Sequence, residues 1–197
     1  MKYLKKFNEE ILFFDKIKKY KIDKICEKYG IKNYTINSDG SIDVDDNVNL
    51  YNYRLTKLPL KFNKVNGWFD CSDNNLISLE GSPVELNGFF SCDYNKLTSF
   101  EFSPRIIRGD FDCEYNNIKT FEYFPIFVKV DFLCYSNPIY EVWRLFHDTS
   151  KIELLNDFDI FRDEYTEEPA IVMDRLNDFL LTIGRDTVEK VDRYKNI

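Results

Sequence analysis

The sequence predicts an α/β chain: a solenoid whose short strands form a parallel β-sheet on the concave face, capped by N-terminal helices plus a hairpin and by C-terminal helices. Three observations predict it. Cys71, Cys92, Cys113 and Cys134 stand 21 residues apart, and three residues after each comes an asparagine: Asn74, Asn95, Asn116 and Asn137. Apolar columns keep the same step without insertion, with Phe69, Phe90, Phe111 and Phe132 before the cysteines and Leu76, Leu97, Ile118 and Ile139 after them. Within one unit, Leu86, Gly88, Phe90 and Cys92 alternate with Asn87, Phe89, Ser91 and Asp93, the two-residue period of a strand. A unit this short cannot bury its own apolar face, so the units must stack.

The elements follow in chain order. Residues 1–45 read as an N-terminal cap. Leu4, Phe7, Ile11, Phe14 and Ile17 lie three and four apart, so residues 3–20 have one apolar helical face. Ile22 to Tyr29 reads as a second short helix, stopped by Gly30. Tyr34 to Asn37 and Ile42 to Val44 flank an Asp39-Gly40 turn and read as a hairpin. The solenoid spans 46–137. Its first unit is degenerate, with Val48, Leu50, Leu55, Leu58 and Val65 in the apolar columns but Tyr53 in place of the asparagine.

Residues 138–197 read as a C-terminal helical cap. Asn137-Pro138 suits a helix start, predicting a helix over Ile139 to Phe146. Further helices are expected from Ser150 to Leu155, from Pro169 to Ile183 with Gly184 as the stop, and as a fourth candidate from Glu189 to Tyr194. Asp157 to Glu168 is acidic and aperiodic, and reads as a surface loop.

Each column has a physical role. The phenylalanines form an internal spine, and the asparagines satisfy backbone groups left unpaired where the chain leaves the sheet. Pro83, Pro104 and Pro125 suit an extended return side. The cysteines fill the inward column as reduced core residues, where desolvation disfavours a nucleophilic role.

Composition excludes several functions. No uninterrupted apolar run reaches the length of a membrane span, and lysines interrupt the apolar part of the N-terminus, so neither a membrane nor a secretory segment is expected. The expected setting is a cytosol. Residues 1–32 hold ten lysines against five acids, a balance of +5, whereas the rest hold 17 basic against 29 acidic residues, a balance of −12. An acidic solenoid repels nucleic acid and anionic lipid and favours basic protein surfaces. No catalytic residue, metal site or cofactor is expected. His147 beside Asp148 reads as a helix-end or surface residue, Asp43, Asp45 and Asp46 lack calcium-loop spacing, and the column of Glu80, Glu101 and Glu122 splays into solvent.

The outward strand columns form the candidate binding face. Of 20 positions around the cysteines, seven are acidic, six aromatic and none Lys or Arg. The residues singled out for protein binding are Trp68, Asp70, Phe89, Asp93, Tyr94, Asp110, Asp112, Glu114, Tyr115 and Tyr135. Rings beside carboxylates suit lysine and arginine side chains, through cation–π contact and charge-assisted hydrogen bonds. The alternative is structural: Trp68 and Phe89 pack under the N-terminal cap and the acids keep the surface solvated.

The unit Leu-x-Gly-x-Phe-x-Cys-x-x-Asn-x-Leu-x-x-Leu/Phe, with a proline on the return, resembles the short leucine-rich repeats of secreted bacterial effectors. A closer likeness is to repeat proteins of tailed bacteriophages. It rests on Tyr34 to Val44, Leu55-Thr56-Lys57-Leu58-Pro59 and the ending Arg175-Leu176-Asn177-Asp178-Phe179-Leu180, and covers most of the chain. The effector likeness stops at the repeats, so no ubiquitin-ligase activity is transferred. The phage likeness implies a partner in the host cytosol: a host protein with a basic surface, inhibited or redirected. A structural or assembly role through self-association is the alternative.

Overall fold

In the computed structural model the described residues are 2–162 and 170–197, with side chains described from Lys16 onward. The N-terminal segment folds as one helix, α1 (Lys2–Tyr29), where the spacing predicts two. No glycine or proline interrupts residues 2–29, so nothing breaks the backbone ladder until Gly30. Gly30 takes the left-handed conformation at φ +67°, and its amide closes on the Glu27 carbonyl at 3.3 Å. Ile22 and Cys26 are buried and Ile17 is half-buried, whereas the face expected at Leu4, Phe7, Ile11 and Phe14 lies outside the described side chains.

The hairpin forms as expected: β1 (Tyr34–Ile36) pairs antiparallel with β2 (Ile42–Val44) around Gly40. Strand β2 then continues as the first parallel strand of the repeat region. Each unit contributes two short strands rather than one. The first set is β4 (Phe62–Val65), β6 (Glu85–Leu86), β8 (Ile106–Ile107) and β10 (Phe127–Val128), which with the hairpin makes a six-stranded sheet. The second is β3 (Val48–Asn49), β5 (Phe69–Asp70), β7 (Phe90–Ser91), β9 (Phe111–Asp112) and β11 (Phe132–Leu133), a five-stranded all-parallel sheet. Its register runs Val48, Phe69, Phe90, Phe111, Phe132, one period per strand.

The expected single strand through Leu86 and Cys92 is therefore corrected. The chain bends between β6 and β7 at Asn87-Gly88, and the two halves join different sheets. Close approach explains the glycine there: a Cβ on Gly88 would stand 2.7 Å from the Trp68 amide nitrogen, and one on Gly109 2.7 Å from the Gly88 carbonyl carbon. The prolines lead into β6, β8 and β10, so the return side is a second parallel sheet and not a hydrogen-bond-free extended arm.

The core lies between the two sheets. Phe69 stacks on Phe90 and Phe90 meets Phe111 at a tilt, both at centroid spacings of 5.7 Å along the spine, and Phe132 follows Phe111 at 5.5 Å. Cys71, Cys92, Cys113 and Cys134 are buried free thiols. Each asparagine bridges units: the Asn95 amide donates to the carbonyls of Cys71, Cys92 and Asp93, while its Oδ1 accepts the Leu76 amide at 2.8 Å. Asn137 belongs to this column too, its Oδ1 accepting the Ile118 amide at 2.9 Å and its amide donating to the Cys113 carbonyl at 2.8 Å. It is thus a column residue and not the expected helix cap.

Beyond Pro138 the first and third expected helices are shorter than expected, and the second starts two residues later. They are α2 (Tyr140–Trp143), a 3-10 turn at Thr149–Lys151 leading into α3 (Ile152–Asp157), and α4 (Met173–Thr182), followed by Gly184 at φ +72°. The expected fourth helix is corrected, and the expected loop is corrected over its described part, where a strand forms at Phe161-Arg162. β12 (Phe161–Arg162), β13 (Ala170–Ile171) and β14 (Lys195–Asn196) form a small sheet, which the short strands Phe161-Arg162 and Lys195-Asn196 are too brief to announce by periodicity. Pro169 and the rest of 163–169 lie outside the described residues. This terminal unit closes the last repeat: Phe121 meets Trp143, Phe146 and Phe161, and the Tyr194 hydroxyl donates to the Lys119 carbonyl at 2.8 Å. Among the described residues no helix is long and apolar enough to cross a membrane.

Candidate protein-binding face

The five-stranded sheet carries the candidate face, and its backbone is shaped by local hydrogen bonds. Asp70 and Asp112, one residue before a cysteine, each turn back to accept the amide two residues on, Ser72 at 2.9 Å and Glu114 at 3.0 Å. The position two after the cysteine column takes a left-handed conformation in every unit: Asn52, Asp73, Tyr94, Tyr115 and Ser136 all have φ between 49° and 61°. Non-glycine residues rarely adopt this conformation; in three units a side-chain turn at Asn49, Asp70 or Asp112 precedes it, whereas Tyr94 and Ser136 adopt it without one. Its consequence is a row of side chains standing off the end of the sheet.

In that row Tyr94 and Tyr115 stack with centroids 4.2 Å apart and planes 13° from parallel. Tyr135 continues edge-on at 5.9 Å, and Tyr140 from α2 extends the series at 5.4 Å from Tyr135. Beside these rings lie Asp70, Asp93, Asp112 and Glu114, all half-buried. Among the described residues none of the four forms an ion pair with Lys or Arg. The electrostatic consequence is visible in Asp112, whose carboxyl is pushed up to about 6 by burial, by Asp93, Glu114 and Asp70, and against the opposing Glu114 amide. Glu114 is raised by burial and by Asp93. Tyr94 is raised through its hydroxyl bond to Tyr115, with lesser contributions from burial, Asp93 and Glu114.

A second aromatic pad precedes the strands. Trp68 and Phe89 stack at 5.3 Å with planes 6° apart, Trp68 half-buried and Phe89 exposed. Asp110 in the same column accepts the Asp131 amide at 3.0 Å, as Asn47 accepts that of Trp68 at 3.0 Å, so this column pins neighbouring units together. The ten singled-out residues thus divide: Asp70, Asp93, Tyr94, Asp112, Glu114, Tyr115 and Tyr135 gather at one end of the strands, and Trp68, Phe89 and Asp110 stand at the other. Two positions read as outward are buried. Ser72 donates to Asp70 and Ser91 to Asp93, each hydroxyl at 2.5 Å, which folds them into the surface.

Tyr140 was not legible as part of this face, because its place depends on how α2 packs against the last unit and not on the period. His147 is exposed, stacks on Trp143 at 5.6 Å and shares a groove with Glu114 and Tyr135 where the face meets the C-terminal unit. Asp148 is committed to the 3-10 turn, accepting the Ser150 amide and hydroxyl, so it does not orient the imidazole. The column thiols of Cys71, Cys92 and Cys113 are pushed well up by burial. Among the described residues no group of three or more His, Cys, Asp or Glu side chains is placed to hold a metal ion. Asp43, Asp45 and Asp46 instead accept hydrogen bonds from Asn63, Asn66 and Asn33. No family model, curated protein or solved structure matches the chain.

Proposed function

We propose that the chain is a non-enzymatic protein-binding module, a leucine-rich-repeat solenoid that engages the basic surface of a host protein through its acidic and aromatic face. It acts as an inhibitor, occupying a surface the host protein uses for nucleic acid. One observation carries the reading: the Tyr94–Tyr115 stack stands beside carboxylates that lack a cation of their own. Carboxylates with raised proton affinity gain when a guanidinium or ammonium arrives, and stacked rings offer that cation a π face. The resemblance of the repeats to those of tailed-phage proteins supports the host setting in the cytosol.

Capture from a host lysate identifies the partner, and paired variants then test the face. Asp112→Lys with Glu114→Lys is expected to slow association and weaken its salt dependence, whereas Tyr94→Ala with Tyr115→Ala is expected to speed dissociation. Normal binding by both folded double variants overturns the proposal.

A second reading, assembly by self-association, is favoured by the charge of the other sheet. Around the six-stranded sheet stand exposed Lys61, Lys64, Arg105, Arg108 and Lys129; Asp39 and Glu85 pair with three of them, and among the described residues Arg105 and Lys129 are left to oppose the candidate face in sign. Acidic face on basic face is a heterologous contact that grows open-ended assemblies. Sedimentation showing mass that rises with concentration at low salt and collapses at high salt selects this reading.

A further inference from the structure

Across the first three units, on the return side, lies a groove of about 610 Å³. That is within the range of about 300–1,000 Å³ typical of small-molecule sites. Pro59, Leu60, Pro83 and Phe102 form apolar walls, and Lys57, Lys61 and Arg105 bring positive charge to them. The charges nearly cancel. Lys61 is paired with Asp39 at 2.7 Å and Glu80 stands on the rim, so the groove keeps about one positive charge in excess. Among the described residues neither Lys57 nor Arg105 forms an ion pair.

Ser82 supplies the second observation. It lines this groove at 9% exposure, and its hydroxyl is the one buried side-chain oxygen or nitrogen among the described residues without a hydrogen-bond partner. Buried polar groups are paired in the great majority of cases, so an open one demands an explanation. The column itself offers a partner: one unit on, the Ser103 hydroxyl donates to the Tyr123 carbonyl at 3.2 Å. Ser82 makes no such bond, and because its hydroxyl is closed off from solvent it gains a partner from the groove only by turning its side chain toward it.

We propose that this groove binds a small organic monocarboxylate with an apolar body. The body lies against Leu60, Pro83 and Phe102, Arg105 and Lys57 hold the carboxylate, and the Ser82 hydroxyl turns outward to donate to one of its oxygens. One excess positive charge matches a monoanion, and a planar guanidinium matches the two carboxylate oxygens. The inference is independent of the acidic face, which lies on the other sheet.

Calorimetric titration of the full chain with 1-naphthylacetate, octanoate and the neutral 1-naphthylacetamide tests it. Saturable one-site binding of a carboxylate is expected, with the amide at least about tenfold weaker. Lys57→Glu with Arg105→Glu is expected to lose at least about tenfold in affinity, while Lys190→Glu, an exposed cation elsewhere, is expected to leave it unchanged. Ser82→Ala is expected to weaken carboxylate binding yet raise the melting temperature of the free protein, since it removes an unpaired buried hydroxyl. Failure of both carboxylates to bind, equal affinity for acid and amide, or unchanged affinity in the folded double variant overturns the proposal. Unchanged binding by Ser82→Ala removes the hydroxyl from it.

Discussion

A single carboxyl shows what this surface gives up by holding its acids close together and without cations. Asp112 titrates near 6 in the folded chain against 3.8 when unperturbed, so between those values the folded state holds a proton that the unfolded state has released. Stability from this group is therefore greatest at low pH and falls as pH rises through about 6. Asp112→Asn keeps an oxygen for the Glu114 amide and removes the charge. It is expected to melt at a higher temperature than the parent at pH 7, with the difference vanishing below about pH 4. Thermal melts of both proteins across that range decide it. Asn95 is the opposite case, an amide whose four bonds hold two units together. Asn95→Ala is expected to cost about 2–4 kcal/mol, since several buried backbone groups lose their partner. Urea denaturation checks it, with Asn75→Ala, outside the column, expected to stay within about 0.5 kcal/mol of the parent.

At the scale of elements, two short strands per unit work because neighbours supply what each lacks. A two-residue strand has no independent stability, yet stacking in register at about 4.8 Å pairs every strand with its copies. The bend between β6 and β7 is the weak point of this arrangement. Backbone passes so close over backbone there that Gly88→Ala is expected to destabilise by about 1–3 kcal/mol through displacement of the Trp68 segment. Denaturant melts measure this, and an unchanged midpoint shows that the unit can relax without cost.

Across the whole molecule, stability is a sum over units and their interfaces. The cysteine column reports on it directly, because each thiol is sealed by the coils on either side. Under native conditions Cys92 and Cys113, fully buried in the middle of the stack, are expected to be labelled by a thiol reagent only through unfolding, with site-resolved rates that rise with urea as the global equilibrium does. Rapid labelling of either site in buffer refutes the inward placement. The two sheets also differ in charge among the described residues: one carries acids and stacked tyrosines without paired cations, the other lysines and arginines partly paired with Asp39 and Glu85.

Read alone, the residues determined the period, the stacking, the inward phenylalanine, cysteine and asparagine columns, the hairpin and the acidic-aromatic composition of one face. These are legible because each depends on local alternation or on a spacing repeated in unit after unit. Only the tertiary structure decided that each unit feeds two sheets, since the bend at Asn87-Gly88 follows from contact with the unit before it. The left-handed row that carries Tyr94 and Tyr115, the burial that raises Asp112 and the unpaired hydroxyl of Ser82 likewise required it. Proton affinity and hydrogen-bond satisfaction depend on neighbours in adjacent units as well as on nearby groups such as Glu114 beside Asp112, and the alternation within one unit does not encode them.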